Sequence, residues 1–172
     1  PGRALRLALW YPTAVESGPE AVYRGLFPAP GVLAAPAPAA GPFGLVVFSH
    51  GHQGFAENSG ALCAQLASHG WVVAAPDHTG NTTFDGPDRQ TPIYHHRVTD
   101  LSATVDHLEG TDPLSSVIDG PIAGFGHSFG GYTLHAAGGA QYDAARLAGC
   151  LDGTGAGPFC DGMTPAWAAR FE

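Results

Sequence analysis

Residues 121–139 read PIAGFGHSFGGYTLHAAGG. Their centre, Gly126-His127-Ser128-Phe129-Gly130, fits the pattern G-x-S-x-G. An apolar run bounded by Pro121 precedes it, and small and apolar residues with helical character follow. A serine on a sharp strand-to-helix turn needs that context. Glycine on either side lets strand and helix approach closely. The turn exposes the serine oxygen and aims a helix N-terminus at the site, where it favours developing negative charge.

Outward from this turn, the chain alternates short apolar runs with helical patterns. Residues 3–11 alternate as a strand that Pro12 stops, and 12–44 are rich in Pro, Ala and Gly and read as a long surface loop, with an ordered excursion within it as the alternative. LVVFS at 45–49 is a continuous apolar run, as expected of a strand buried on both faces. Residues 57–69 place Leu62, Leu66 and His69 at helical spacing, with Gly70 as a C-cap. WVVAAP at 71–76 is the next buried strand, followed by a polar loop over 79–91. Residues 93–109 suit a helix with Val98, Leu101, Val105 and Leu108 on one face. Residues 121–125 form the strand before Ser128, the helix after it runs to about Ala137, and 146–151 (RLAGCL) read as one more strand ending at Asp152. This order predicts a single α/β domain over 1–172, its sheet mostly parallel with helices on both faces. Ligands of such sheets bind beyond the carboxyl ends of the strands, where HGHQG, DHTGN, GHSFG and DGTG converge.

Composition narrows the possibilities. Apolar residues make up 44% and charged residues 13%, which suits a folded core and argues against disorder. The net charge of −8, with no lysine, gives no support for nucleic-acid binding. No run of 18 apolar residues predicts a transmembrane helix. No Cys or His spacing suggests zinc, and no cofactor is expected. Cys63 reads as a buried small apolar residue. Cys150 and Cys160 bracket a Gly-rich loop in a spacing that allows a disulfide, and that pairing would favour a periplasmic or extracellular location.

Acyl transfer by serine needs a nucleophile, a base, an orienter for the base and an oxyanion hole. Ser128 is the candidate nucleophile. One oxyanion donor is expected at the backbone N–H of Phe129, the other in His50-Gly51-His52, at His52. Asp152 follows Ser128 in chain order and is the candidate orienter. The expected base is missing: a histidine should follow the acid, yet all nine histidines lie at or before His135. Phe55 and Tyr94 are candidate substrate-binding residues, with core or loop packing as the alternative. Arg97 and Asp100, three apart on one helix, read as a structural pair.

With these segments in hand, the chain resembles the α/β-hydrolase superfamily, most of all its platelet-activating-factor acetylhydrolase-like and dienelactone-hydrolase-like branch. The matching stretches are LALWYP (7–12), VVFSHGHQG (46–54), LASHGWVVAAPDHTGN (66–81), the helix around Arg97 and Asp100, GFGHSFGG (124–131) and CLDGTG (150–155). The resemblance implies hydrolysis of small carboxylic esters without metal or organic cofactor. It carries Ser128 over as nucleophile, Asp152 as acid, and His52 and Phe129 as oxyanion donors. A complete member continues with further strands and a late loop bearing the histidine. The expectation is therefore an incomplete domain whose base comes from its remaining C-terminal part or a complementing chain. Two rivals stay open. One is a non-catalytic binding module that lacks the base. The other is a compact hydrolase that uses His52 or His78 as base.

Overall fold

The computed structural model describes residues 4–86, 93–110, 112–141, 143–156 and 160, with Tyr94 and His95 described by backbone alone. Four strands form the main sheet in the order β1 (Leu7–Trp10), β5 (Trp71–Pro76), β4 (Phe43–Ser49) and β6 (Ile118–Gly126). β1 runs antiparallel to β5; β5 and β6 run parallel to β4. The pairing aligns Leu45 with Val72 on one side and with Ile122 on the other, so the ends of β4 and β6 finish together at Ser49 and Gly126.

Helices cover both faces, and the strand sequences show why. Val46 and Phe48 point to one face with Val73 and Ala75, where they pack against Cys63 and Ala67 of α1 (Gly60–Ser68). Leu45 and Val47 point to the other with Val72 and Ala74, against Leu101 and Leu108 of α2 (Tyr94–Gly110) and Leu134 of α3 (Phe129–Ala137). An unbroken apolar run is what a strand with two buried faces requires. The helix after β4 buries Gly60, Cys63 and Ala67, while Leu62 is exposed. Its inner face is thus made of small residues with Leu66 packed beside them, while Leu62 and His69 are exposed; small side chains let the helix lie close on the sheet. Cys63 is a buried free thiol, its pKa pushed up by burial to about 12.

One sequence expectation is filled in and one fails. Within 12–44 the chain forms an antiparallel hairpin of β2 (Glu20–Tyr23) and β3 (Phe27–Leu33), turning at Arg24 and Gly25, both with positive φ. Tyr23 docks it on the sheet by accepting a 2.7 Å hydrogen bond from the indole of Trp10. The expected strand at 146–151 is instead part of helix α4 (Ala144–Asp152). Its ends carry the reason: the Asp143 side chain accepts from Arg146 N–H as an N-cap, and Gly153, at φ 80, closes the C-terminus. Asp152 therefore stands on the last turn of a helix, and among the described residues β6 is one edge strand of the sheet, opposite β1, with Ile122 49% exposed. Cys150 of α4 and Cys160 are joined in a disulfide, their Cα atoms 4.9 Å apart.

Candidate active site

β6 delivers the chain to Ser128, and α3 starts at the next residue. Ser128 holds φ 53 and ψ −116, a region that side-chain-bearing residues rarely enter. It occupies the N-cap of α3, yet its hydroxyl makes no capping bond, and the residue is exposed. Close backbone packing enforces this turn. A Cβ on Gly126 would lie 2.3 Å from the carbonyl carbon of Gly130, and one on Gly130 would lie 1.8 Å from the carbonyl oxygen of Ser49. The His127 N–H donates to that same oxygen at 3.2 Å, which ties the turn to the end of β4.

The loop after β4 packs on the turn. A Cβ on Gly51 would meet His127 Nδ1 at 3.0 Å and Ser128 Cβ at 3.5 Å. The His52 and Phe129 rings lie 6.1 Å apart, so the two residues expected to supply oxyanion donors are neighbours beside Ser128.

Beneath this pair lies a buried polar network that sequence reading did not assemble. Arg97, with 0% exposure, donates from Nε to Thr133 Oγ1 at 3.0 Å, from Nη1 to Asn81 Oδ1 at 3.0 Å, and from Nη2 to Ser49 Oγ at 3.3 Å and to the His50 carbonyl. Its guanidinium also lies over the Phe129 ring, 4.5 Å from the centroid. Burial pulls Arg97 down to about 9, against the opposing pull of Asp100, which leaves it protonated at neutral pH. His78 stands between Ser49 and Asp100: Nε2 is 2.8 Å from Ser49 Oγ, and Nδ1 is 2.9 Å from Asp100 Oδ2. Nδ1–H of His78 donates to the Asp100 carboxylate, which can only accept, and Arg97 donates to Ser49. The backbone N–H of His78 donates to His50 Nε2 at 3.1 Å, and His50 Nδ1 donates to the Gly51 carbonyl at 2.7 Å. Burial, with the charges of His78 and Arg97, lowers His50 to about 3, so its ring is neutral.

Ser49, His78 and Asp100 thus have the connectivity of a serine–histidine–acid relay, but all three are buried. Both ring nitrogens of His78 are engaged within it. The second candidate base, His52, has Nδ1 2.9 Å from Asn81 Nδ2. Arg97 and Asp100 interact through their charges, and both also belong to this network. The available signal was the change from wholly apolar strands to polar residues at their last positions, Ser49-His50 after β4 and Asp77-His78 after β5.

The remaining candidates lie apart. Asp152 is exposed and accepts from Thr154 N at 2.9 Å and from Thr154 Oγ1 at 2.6 Å, bonds that hold its carboxyl below the usual range. Phe55 stacks on Phe27 at 5.6 Å and meets Phe84 edge-on at 5.4 Å, with Arg24 over both Phe55 and Phe84. The Tyr94 side chain lies outside the described residues. A cleft of about 890 Å³ opens between β1, β3 and α1, and none of its walls belongs to the turn at Ser128. Among the described residues, no cluster of His, Cys, Asp and Glu could hold a metal ion, and no helix is long and apolar enough to cross a membrane.

This arrangement exposes a serine oxygen at the N-terminus of α3, with the loop after β4 packed beside it. The likeness to known proteins points the same way. A family model described as "Serine aminopeptidase, S33" matches residues 40–155. A bis(hydroxyethyl) terephthalate hydrolase of Streptomyces coelicolor is 38% identical over 99 residues, which are 56% of this chain and 29% of that protein. A cutinase, Est1, of Thermobifida alba is 39% identical over 93 residues, 52% of this chain and 28% of that protein. The solved ferulic acid esterase of Streptomyces cinnamoneus superposes with a TM-score of 0.63 at 29% identity, over 77% of this chain and 47% of that one. The matched stretches span under a third of the two curated relatives, and the superposition under half of the solved esterase.

Proposed function

We propose a serine carboxylic-ester hydrolase function, on the premise that the chain belongs to the serine aminopeptidase S33 family of α/β-hydrolases, whose model its residues 40–155 match. The observation that carries the proposal is Ser128: exposed, uncapped, and held at φ 53 by glycines that admit no side chain. The names of all three relatives denote ester hydrolases, which favours ester over peptide chemistry.

In this reading Ser128 Oγ attacks the ester carbonyl carbon while a base takes its proton. The carbonyl oxygen becomes an oxyanion held by the N–H groups of His52 and Phe129, with the N-terminus of α3 behind them. The tetrahedral intermediate collapses, the alcohol leaves with the proton from the base, and the acyl group stays on Ser128. Water then attacks the acyl-enzyme, aided by the same base, and releases the acid. We assign the acid of the triad to Asp152 by its order after Ser128; the bonds from Thr154 hold its carboxylate ionised. The base is assigned to polypeptide outside residues 1–172, either the C-terminal remainder of the domain or a complementing chain. Small esters with short acyl groups are the proposed substrates, and the Cys150–Cys160 disulfide favours a periplasmic or extracellular site of action.

The experiment is a paired one on the full-length protein. A soluble chromogenic ester reports turnover, and a fluorophosphonate probe followed by peptide mapping reports the nucleophile. The expected result is a label on Ser128, with turnover and label both lost in Ser128→Ala. Full esterase activity in Ser128→Ala would overturn the proposal.

A further inference from the structure

We propose that Arg97 is a positioning residue that holds the oxyanion loop (49–52) against the nucleophile helix α3. The inference rests on the ester-hydrolase reading for its chemistry, but its geometry stands on contacts that involve no substrate.

Each end of the guanidinium reaches one side of the site. Toward the loop, Nη2 donates to Ser49 Oγ and to the His50 carbonyl, while Nη1 fixes Asn81, whose Nδ2 lies 2.9 Å from His52 Nδ1. Toward the helix, Nε donates to Thr133 Oγ1, which itself donates to the Phe129 carbonyl at 2.9 Å, and the guanidinium plane covers the Phe129 ring. Arg97 is therefore two hydrogen bonds from His52 through Asn81, and two from Phe129 through Thr133. Those are the two residues whose N–H groups must converge on one oxygen. A rigid planar fork with five N–H donors can satisfy such divergent acceptors at once; the point charge of a lysine cannot. Oxyanion stabilisation depends on donors fixed before charge develops, so a small misplacement of one donor lowers kcat more than substrate affinity.

The test uses the full-length protein and two readouts. In Arg97→Ala, kcat is expected to fall about 10²-fold with KM changed less than about threefold, and added guanidinium should restore part of the loss. Amide hydrogen exchange at His52 and Phe129 should speed up while β4 and β5 keep their protection. Asn81→Ala should loosen the His52 amide alone, and Thr133→Val the Phe129 amide alone. A folded Arg97→Ala protein with unchanged exchange at both amides overturns the proposal. If Arg97→Ala does not fold, the two single-arm variants decide, and unaltered exchange and kcat in both overturn it. If the unaltered protein turns over no ester, the functional reading fails while the exchange data still decide the role of Arg97.

Discussion

Gly130 presses its α-carbon against the carbonyl of Ser49, so closely that a methyl group there would stand 1.8 Å from the oxygen and 3.0 Å from the His50 carbonyl oxygen. This contact joins the first turn of α3 to the end of β4, and hence Ser128 to the loop after β4. Both neighbours are backbone, so no side chain can rotate away to make room. Gly130→Ala should destabilise the protein by more than the roughly 1–3 kcal/mol usual for an overpacked site. Gly110→Ala is the matched control, because a Cβ there meets nothing within 4 Å. That change should be neutral or stabilising by up to about 1 kcal/mol. Thermal melts of the two variants check the contrast, and equal melting temperatures would refute the packing argument.

The strain at Ser128 gives a second prediction. A side chain at φ 53, ψ −116 costs on the order of 1–3 kcal/mol, and glycine is free of that cost. Ser128→Gly and Ser128→Ala should both be inactive, yet the glycine variant should melt higher, by about 1 kcal/mol in stability. An alanine variant as stable as the glycine variant would mean that Ser128 is not strained.

These two residues were legible in the sequence because the G-x-S-x-G pattern states its own backbone requirement. β5 and α3 were equally plain, one as an apolar run without a break, the other as small residues after the turn. The hairpin was hidden because Pro28, Pro30 and Gly31 punctuate β3, and such residues signal loop when no partner strand is in view. α4 was misread because Leu147, Cys150 and Leu151 resemble a short apolar strand, although Asp143 and Gly153 carried helix-cap signals. The Arg97 network was out of reach for a different reason. Its members come from β4, the loop after β5, α2 and α3, and only tertiary packing places them in contact.

The hairpin is fastened to the domain by ions, which yields a third prediction. Arg24 pairs with Glu57 at 3.3 Å and with Asp77, while Arg6 pairs with the same two carboxylates. Glu57 and Asp77 side chains are 2% and 9% exposed, Arg24 is 14% exposed and Arg6 is 44% exposed. Removing a buried partner strands a buried charge, at a cost of roughly 3–5 kcal/mol, whereas an exposed partner contributes about 0–1 kcal/mol. Arg24→Ala should therefore lower the denaturant midpoint clearly more than Arg6→Ala. The reverse order would show that Arg6 is the principal counter-ion.

The neutral ring of His50 makes stability depend on pH in a defined direction. Burial, then the charges of His78 and Arg97, lower its pKa from 6.5 to about 3 in the folded protein. The unfolded chain takes up a proton near 6.5, while the folded chain does not until about 3. Between those values the unfolded state binds more protons, so stability falls as the pH falls, by up to about 1.4 kcal/mol per pH unit from this group. Above 6.5 the contribution is complete and flat. Carboxylates add their own slope at low pH, but they do so in any variant that keeps them. His50→Gln removes the titration and leaves those carboxylates in place. It should be less stable at pH 7, because a glutamine cannot reproduce both the bond to the Gly51 carbonyl and the bond from the His78 N–H. Its stability should nevertheless decline less steeply between pH 6.5 and 4 than that of the unaltered protein. Urea titrations at half-unit pH intervals would measure both slopes. Parallel lines would mean that His50 becomes protonated without unfolding, and the neutral-ring account of the network would fall.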